Sequence, residues 1–191
     1  MKNLLFVTCV VAVLMIVKYA SATIGFAEWQ IQTPGNNLIS HIDPLKERYS
    51  TCLRPADRAP GSIYEGELKV YVSHLRWWQY YNGYVVGKGN RGYFIFNEKS
   101  AAVEFFIRRD LLEKGITKRR LGNPTSKKML PGDGWAMVWG PKLEKNDPEY
   151  KKKQDAMRKK VCEYYRTQLR NNPQNLSVDH KEEGEIMCGS N

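Results

Sequence analysis

Cysteine is scarce in this chain, four residues among 191, and histidine is scarcer, at three. A disulfide-dense scaffold is excluded on that count. His41, His74 and His180 stand far apart with no Cys or His partner at metal-ligand spacing, so neither a metal nor another cofactor is expected. Gly-x-Ser-x-Gly, His-Glu-x-x-His and calcium-loop spacings are missing too, and there is no internal repeat or low-complexity segment. Long apolar runs number one. With 42% hydrophobic and 26% charged residues of both signs, the composition excludes a disordered chain and a multi-span membrane protein. A single basic domain is expected, at a formal charge of +10.

The one apolar run decides the expected address. Lys2 precedes Leu4 to Val17, which is followed by Lys18-Tyr19-Ala20-Ser21-Ala22. A basic start, an apolar stretch too short to span a bilayer and an Ala-x-Ala ending predict a signal peptide over residues 1–22. The competing reading is a transmembrane anchor over residues 3–27, with Trp29 at the interface. Lys18 inside the apolar segment argues against it. Cleavage removes few charges, so the exported remainder stays basic. Localisation is therefore expected to be extracytoplasmic, secreted or periplasmic, the alternative being a single-pass membrane protein. An oxidising compartment permits one disulfide among Cys52, Cys162 and Cys188; Cys52 with Cys162 is the preferred pair, both falling in predicted helices.

Along the exported part, residues 23–42 suit an extended lead-in. Asp43-Pro44 opens a predicted helix to about Cys52. Alternating Leu68, Val70 and Val72 predict a strand. Leu75 to Tyr81 and Tyr84 to Val86 flank Asn82-Gly83, a strong hairpin signal. Residues 87–92 then make a loop, and Tyr93 to Phe96 supply another strand. A helix is predicted over Ala101 to Lys114, and a short strand over Trp135 to Trp139 with both indoles on one face. A long helix begins near Pro148 and runs to about Asn171, with Tyr150, Met157, Val161, Tyr164 and Tyr165 as its apolar stripe and Lys152, Lys159, Arg166 and Arg170 opposite. The fold expected is α+β: an antiparallel β-meander of three to five strands packed with two main helices in a domain over residues 43–172, then a flexible polar tail over 173–191.

Four features bear on function. Gly87-x-Gly89-x-x-Gly92 has the form of a phosphate loop, but a strand follows it where a dinucleotide fingerprint needs a helix, so nucleotide is not expected. His74 is the best catalytic candidate, as a general base toward Cys52 or Glu65, yet no spacing demands it. The aromatic cluster Trp77, Trp78, Tyr80 and Tyr81 is dense, and adjacent strand residues face opposite ways. One indole is left over unless the sheet is covered on both faces. Such a ring could stack on a partner, with Lys88 and Arg91 as a positive rim. Basic runs at 118–120, 151–153 and 158–160 attract anions. An export signal disfavours nucleic acid and favours an anionic surface (lipid, lipopolysaccharide or cell-wall polymer) or a protein partner. The expectation is a non-catalytic binding or accessory module. Its alternatives are a subunit of a larger membrane complex and a small secreted hydrolase or toxin.

Overall fold

A computed structural model describes residues 28–41, 51–56 and 70–189. The signal or anchor segment, residues 42–50 and residues 57–69 lie outside the described residues, so the helix expected from Asp43 and most of the strand around Leu68 do too. What is described is α+β, with two antiparallel sheets and four α-helices. Sheet one is β1 (Trp29–Gln32), β2 (Leu38–His41) and β3 (Thr51–Arg54); sheet two is β4 (Trp77–Tyr81), β5 (Tyr84–Gly89), β6 (Gly92–Asn97) and β7 (Ala102–Phe106), each a simple meander. The helices are α1 (Arg109–Lys118), α2 (Pro131–Asn146), α3 (Tyr150–Asn171) and α4 (Val178–Cys188), with a 3-10 turn at Pro173–Asn175.

The hairpin at Asn82-Gly83 forms where expected, with Tyr81 opposite Tyr84. Gly83 takes φ +73° while Asn82 keeps a negative φ, so the turn is not the one in which both central residues are left-handed. Sheet two is covered on both faces. Trp78, Val85, Phe94 and Phe96 share one face and pack with Ile39 and Leu53 of sheet one. Trp77, Tyr81, Val86, Tyr93 and Ile95 share the other and pack under Leu112 and Ile116 of α1 and Ile186 of α4. Beyond β4, Trp78 and Met129 exchange both backbone hydrogen bonds and Thr125 N–H donates to Tyr80. The basic connection thereby covers an edge that would otherwise invite another strand.

Several expectations are corrected. The lead-in carries β1 and β2: the alternation of Trp29 and Ile31 with exposed Gln30 and Gln32 is a strand period only four residues long. Cys52 lies in β3, not in a helix. The helix expected from Ala101 is β7 followed by α1. Asn97 Oδ1 accepts from the backbone N–H groups of Lys99 and Ser100, closing a turn rather than capping a helix, and pairing with β6 overrides the helical spacing. Trp135 to Trp139 lie in α2. There Pro131 occupies the first turn, the Asp133 carboxylate accepts from Leu130 N–H, and Trp135, Val138 and Trp139 fall at helical spacing onto the core cluster that holds Trp29. Gly134 admits the Trp29 ring where any Cβ would collide. The tail over 173–191 is not structureless: it carries the 3-10 turn and α4, whose Ser177 hydroxyl accepts from His180 N–H at the N-cap.

Candidate functional site

Trp77 and Trp78 are 2% and 0% exposed, each at the centre of one of the two cores, and Tyr81 is buried as well. The aromatic docking surface expected of them is not a surface, because the sheet has a layer on each side. Tyr80 is half-buried. Burial pushes its phenol up to about 12; the adjacent Trp78 indole opposes the shift and the Glu98 carboxylate adds to it.

The glycine pattern is also accounted for by packing. Gly87 and Gly89 are strand residues of β5, not loop residues. A Cβ on Gly87 would strike the Trp77 carbonyl and the Phe94 ring, one on Gly89 would strike Val72, and Gly92 sits at φ +102°. These glycines let two backbones and a ring approach closely. Arg91, at the exposed tip of the β5–β6 turn, lies 4.3 Å over the Phe105 ring.

Lys88 is not the positive rim of an exposed aromatic surface. It lies within β5 on the Trp77 face, 9% exposed, 4.7 Å over the Tyr93 ring. Its ammonium meets Asp179 at 2.7 Å and Glu182 at 3.1 Å. Tyr93 Oη donates to the same Glu182. Arg76 completes the cluster, 3.2 Å from Asp179 and 2.8 Å from Glu183. Burial by itself would lower the Lys88 value, but hydrogen bonds to Asp179 and Glu182 outweigh it and hold the ammonium well above its ordinary range. The hydrogen bond from Lys88 holds the Asp179 carboxyl below the usual carboxylate range.

These shifts make the grip of α4 on the sheet pH-dependent, with a definite sign. Asp179, lowered in the folded state, contributes fully above the unfolded value of about 3.9, and the contribution disappears as pH falls through the folded value. Lys88, raised when folded, contributes fully below about 10.4 and loses its share only as pH rises through its higher folded value. Hydrogen-exchange protection of α4 is therefore expected to stay flat from neutrality to about pH 4 and to fall below it. Asp179→Asn should lower the plateau and flatten that acid limb.

Among the described residues the disulfide is Cys162–Cys188, joining α3 to α4, and Cys52 is buried with its sulfur beside the Ser40 hydroxyl. The expected pairing of Cys52 with Cys162 is corrected, since Cys52 is enclosed in β3 and Cys188 sits on an ordered helix. Around the disulfide, Arg158 donates to the Met187 carbonyl, Arg166 to the Cys188 carbonyl and Tyr165 Oη to the Lys181 carbonyl.

Helix α3 is the other distinctive feature. Cys162 is its only buried residue, and every residue from 151 to 161 is exposed. The stripe expected to be core is largely in the open, with Met157 61% and Tyr164 67% exposed. Lys152, Lys159 and Lys160 make no ion pair among the described residues. The first half of the helix borders a groove of about 570 Å³ against α2, whose walls include Trp135, Ala136, Met157 and Val161. Of the residues expected to bind, the structure thus brings Lys152 and Lys159 together on one open helix and separates them from the aromatics.

Sequence reading missed Arg76, Asp179, Glu182 and Glu183. A signal existed: the three acids stand at i, i+3 and i+4, which is one face of a helix, behind the capping residue Ser177. His74, the catalytic candidate, lies at φ +51° beside Arg76 and Lys88. Glu65 lies outside the described residues. Among the described residues, no helix is long and apolar enough to cross a membrane. No protein-family model, curated protein or solved structure matches the chain.

Proposed function

We propose that this chain is an exported, basic, non-catalytic binding or accessory module that docks an anionic surface or an acidic protein through α3. The observation that carries this reading is the exposure of α3: eleven consecutive residues in water, Lys152, Lys159 and Lys160 without an ion pair among the described residues, and large apolar side chains beside them. A helix that carried charge only for solubility would not need Met157 and Tyr164 in the open; a cationic face beside an exposed apolar stripe suits a surface that is both anionic and apolar. Burial of Trp77, Trp78 and Tyr81 removes the aromatic half of the expected docking face, so the basic helix bears it alone.

Association of the purified protein with anionic vesicles, or with an acidic partner co-purified from the native source, is expected to weaken with rising salt. Combining Lys152→Glu, Lys159→Glu and Lys160→Glu should weaken it about a hundredfold, from about 1 kcal/mol per lysine near an anionic surface. Binding that ignores both salt and these substitutions would remove the assignment. The second reading, a single-pass subunit of a membrane complex, is favoured by the apolar stretch from Leu4 to Ala27, broken only by Lys18. N-terminal sequencing of the same preparation separates the two: Thr23 as first residue ends the anchored version.

A further inference from the structure

Helix α4 is held in an unusual way for an eleven-residue helix. Its buried residues are Glu182 and Gly184, and it buries no apolar side chain fully. Gly184 lies against the Tyr165 ring so closely that a Cβ would collide. A helix this short is marginal by itself in water, so its place depends on its attachments: the carboxylates and the partly buried Ile186 on the sheet side, and the Cys162–Cys188 bond with hydrogen bonds from Arg158, Tyr165 and Arg166 on the α3 side. The sheet-side attachment is incomplete, since Glu182 Oε1 is buried without a hydrogen-bond partner among the described residues. A half-satisfied buried charge network is a poor device for stability compared with apolar packing. It has the chemistry of a recognition site instead. Arg76 and Lys88 lie on sheet two or its approach, about a hundred residues before the acids they hold, and each is met by two carboxylates. Next to them remains a cavity of about 370 Å³ between His74, Arg76, Lys88 and Asn90, with Asp179 as its one acid.

We propose that Arg76 and Lys88 form a binding site for an acidic peptide segment, that α4 occupies this site in cis as a stand-in for that segment, and that the Cys162–Cys188 disulfide locks it shut. The site does not depend on the docking role of α3. Opening is a thiol–disulfide exchange: an external dithiol attacks one sulfur, the two cysteines leave as thiols, and the dithiol is oxidised to its own disulfide. Reduced by such a dithiol, the protein opens the site to a partner; oxidised, it keeps α4 in the site and excludes it.

The test uses the full chain and a fluorescent synthetic copy of residues 177–187 as probe. In one host Cys162→Ser and Cys188→Ser remove the lock, while Asp179→Asn, Glu182→Gln and Glu183→Gln strip the strap of its charges; the other host is the oxidised parent chain. The peptide is expected to bind the first and not the second. Adding Lys88→Met, or the milder Arg76→Gln, should weaken binding at least about tenfold, since each removes a charge-assisted pair. No binding to the unlocked host, equal binding to both hosts, or indifference to Lys88→Met and Arg76→Gln overturns the proposal. If the unlocked host does not fold, judged by near-ultraviolet dichroism of the buried tryptophans, hydrogen exchange of the parent chain with and without a dithiol decides. Loss of protection at residues 178–188 while both sheets keep theirs supports the strap; unchanged protection there, or a loss spread across sheet two, overturns it.

Discussion

Replacing Trp78 with alanine is expected to cost about 3–5 kcal/mol, the range for deleting a large aromatic from a packed interior. The side chain is 0% exposed, stacks with Trp29 at 6.3 Å, and belongs to the cluster that joins the two sheets through Ile39, Leu53, Val85 and Phe94. Few neighbours can collapse into the space, because β1 is itself pinned to α2 by Trp29 against Gly134 and by the Trp139 indole donating to the Glu28 carbonyl. Domains of this size are stable by about 5–15 kcal/mol, so the variant should show a much lower denaturant midpoint or fail to accumulate. Trp77→Phe makes an instructive contrast on the opposite face. The Trp77 indole N–H is buried without a hydrogen-bond partner among the described residues, so the phenylalanine ring loses some packing while relieving an unsatisfied donor. Chemical denaturation of both variants measures the difference, and a Trp78→Ala protein as stable as its parent would contradict the two-faced core.

The second large effect is expected from opening the disulfide. Cys162 and Cys188 are separated by 26 positions, and a loop of that size corresponds to about 3.5 kcal/mol of stabilisation. The variant carrying Cys162→Ser and Cys188→Ser should lose about that much in equilibrium denaturation, with the loss localised by hydrogen exchange to α3 and α4. Both sheets should keep their protection, since their cores contain no residue of α3. A uniform loss across sheet two would show that the C-terminal helices are integral to the core instead of clasped onto it.

Much of sheet two was legible from residue order. Asn82-Gly83 between aromatic and β-branched runs fixes a hairpin, and the alternation on either side fixes which residues share a face. The adjacency of Trp77 and Trp78 posed the right question, whether one ring is spare, but only the covering layers answer it. Elsewhere local pattern gave two answers. Trp135, Val138 and Trp139 fit one face of a helix as well as Trp135, Met137 and Trp139 fit one face of a strand. The decision came from Trp29, over a hundred residues earlier, which offers α2 a surface to pack on. Ala101 to Phe106 had helical spacing and became an edge strand because β6 supplied a ladder of backbone partners.

The candidate site was less legible for the same reason. Charge density marked α3, since a run of lysines is visible in any one-dimensional reading, and its exposure follows from having little to bury. The ion cluster of Arg76, Lys88, Asp179, Glu182 and Glu183 was invisible because its cations and acids come from opposite ends of the domain, and no local rule pairs residues so far apart. The disulfide belongs with it: the three cysteines after the apolar run allow three pairings, and spacing does not rank them.

What the order of residues settled unaided is the α+β class, the central hairpin and the basic helix, each governed by interactions among neighbours a few positions apart. Long-range packing alone decided which tryptophans are enclosed, which cysteines join, and that a polar C-terminal segment folds as a helix over buried Lys88, because burial and charge pairing depend on what the rest of the chain brings within a few ångströms.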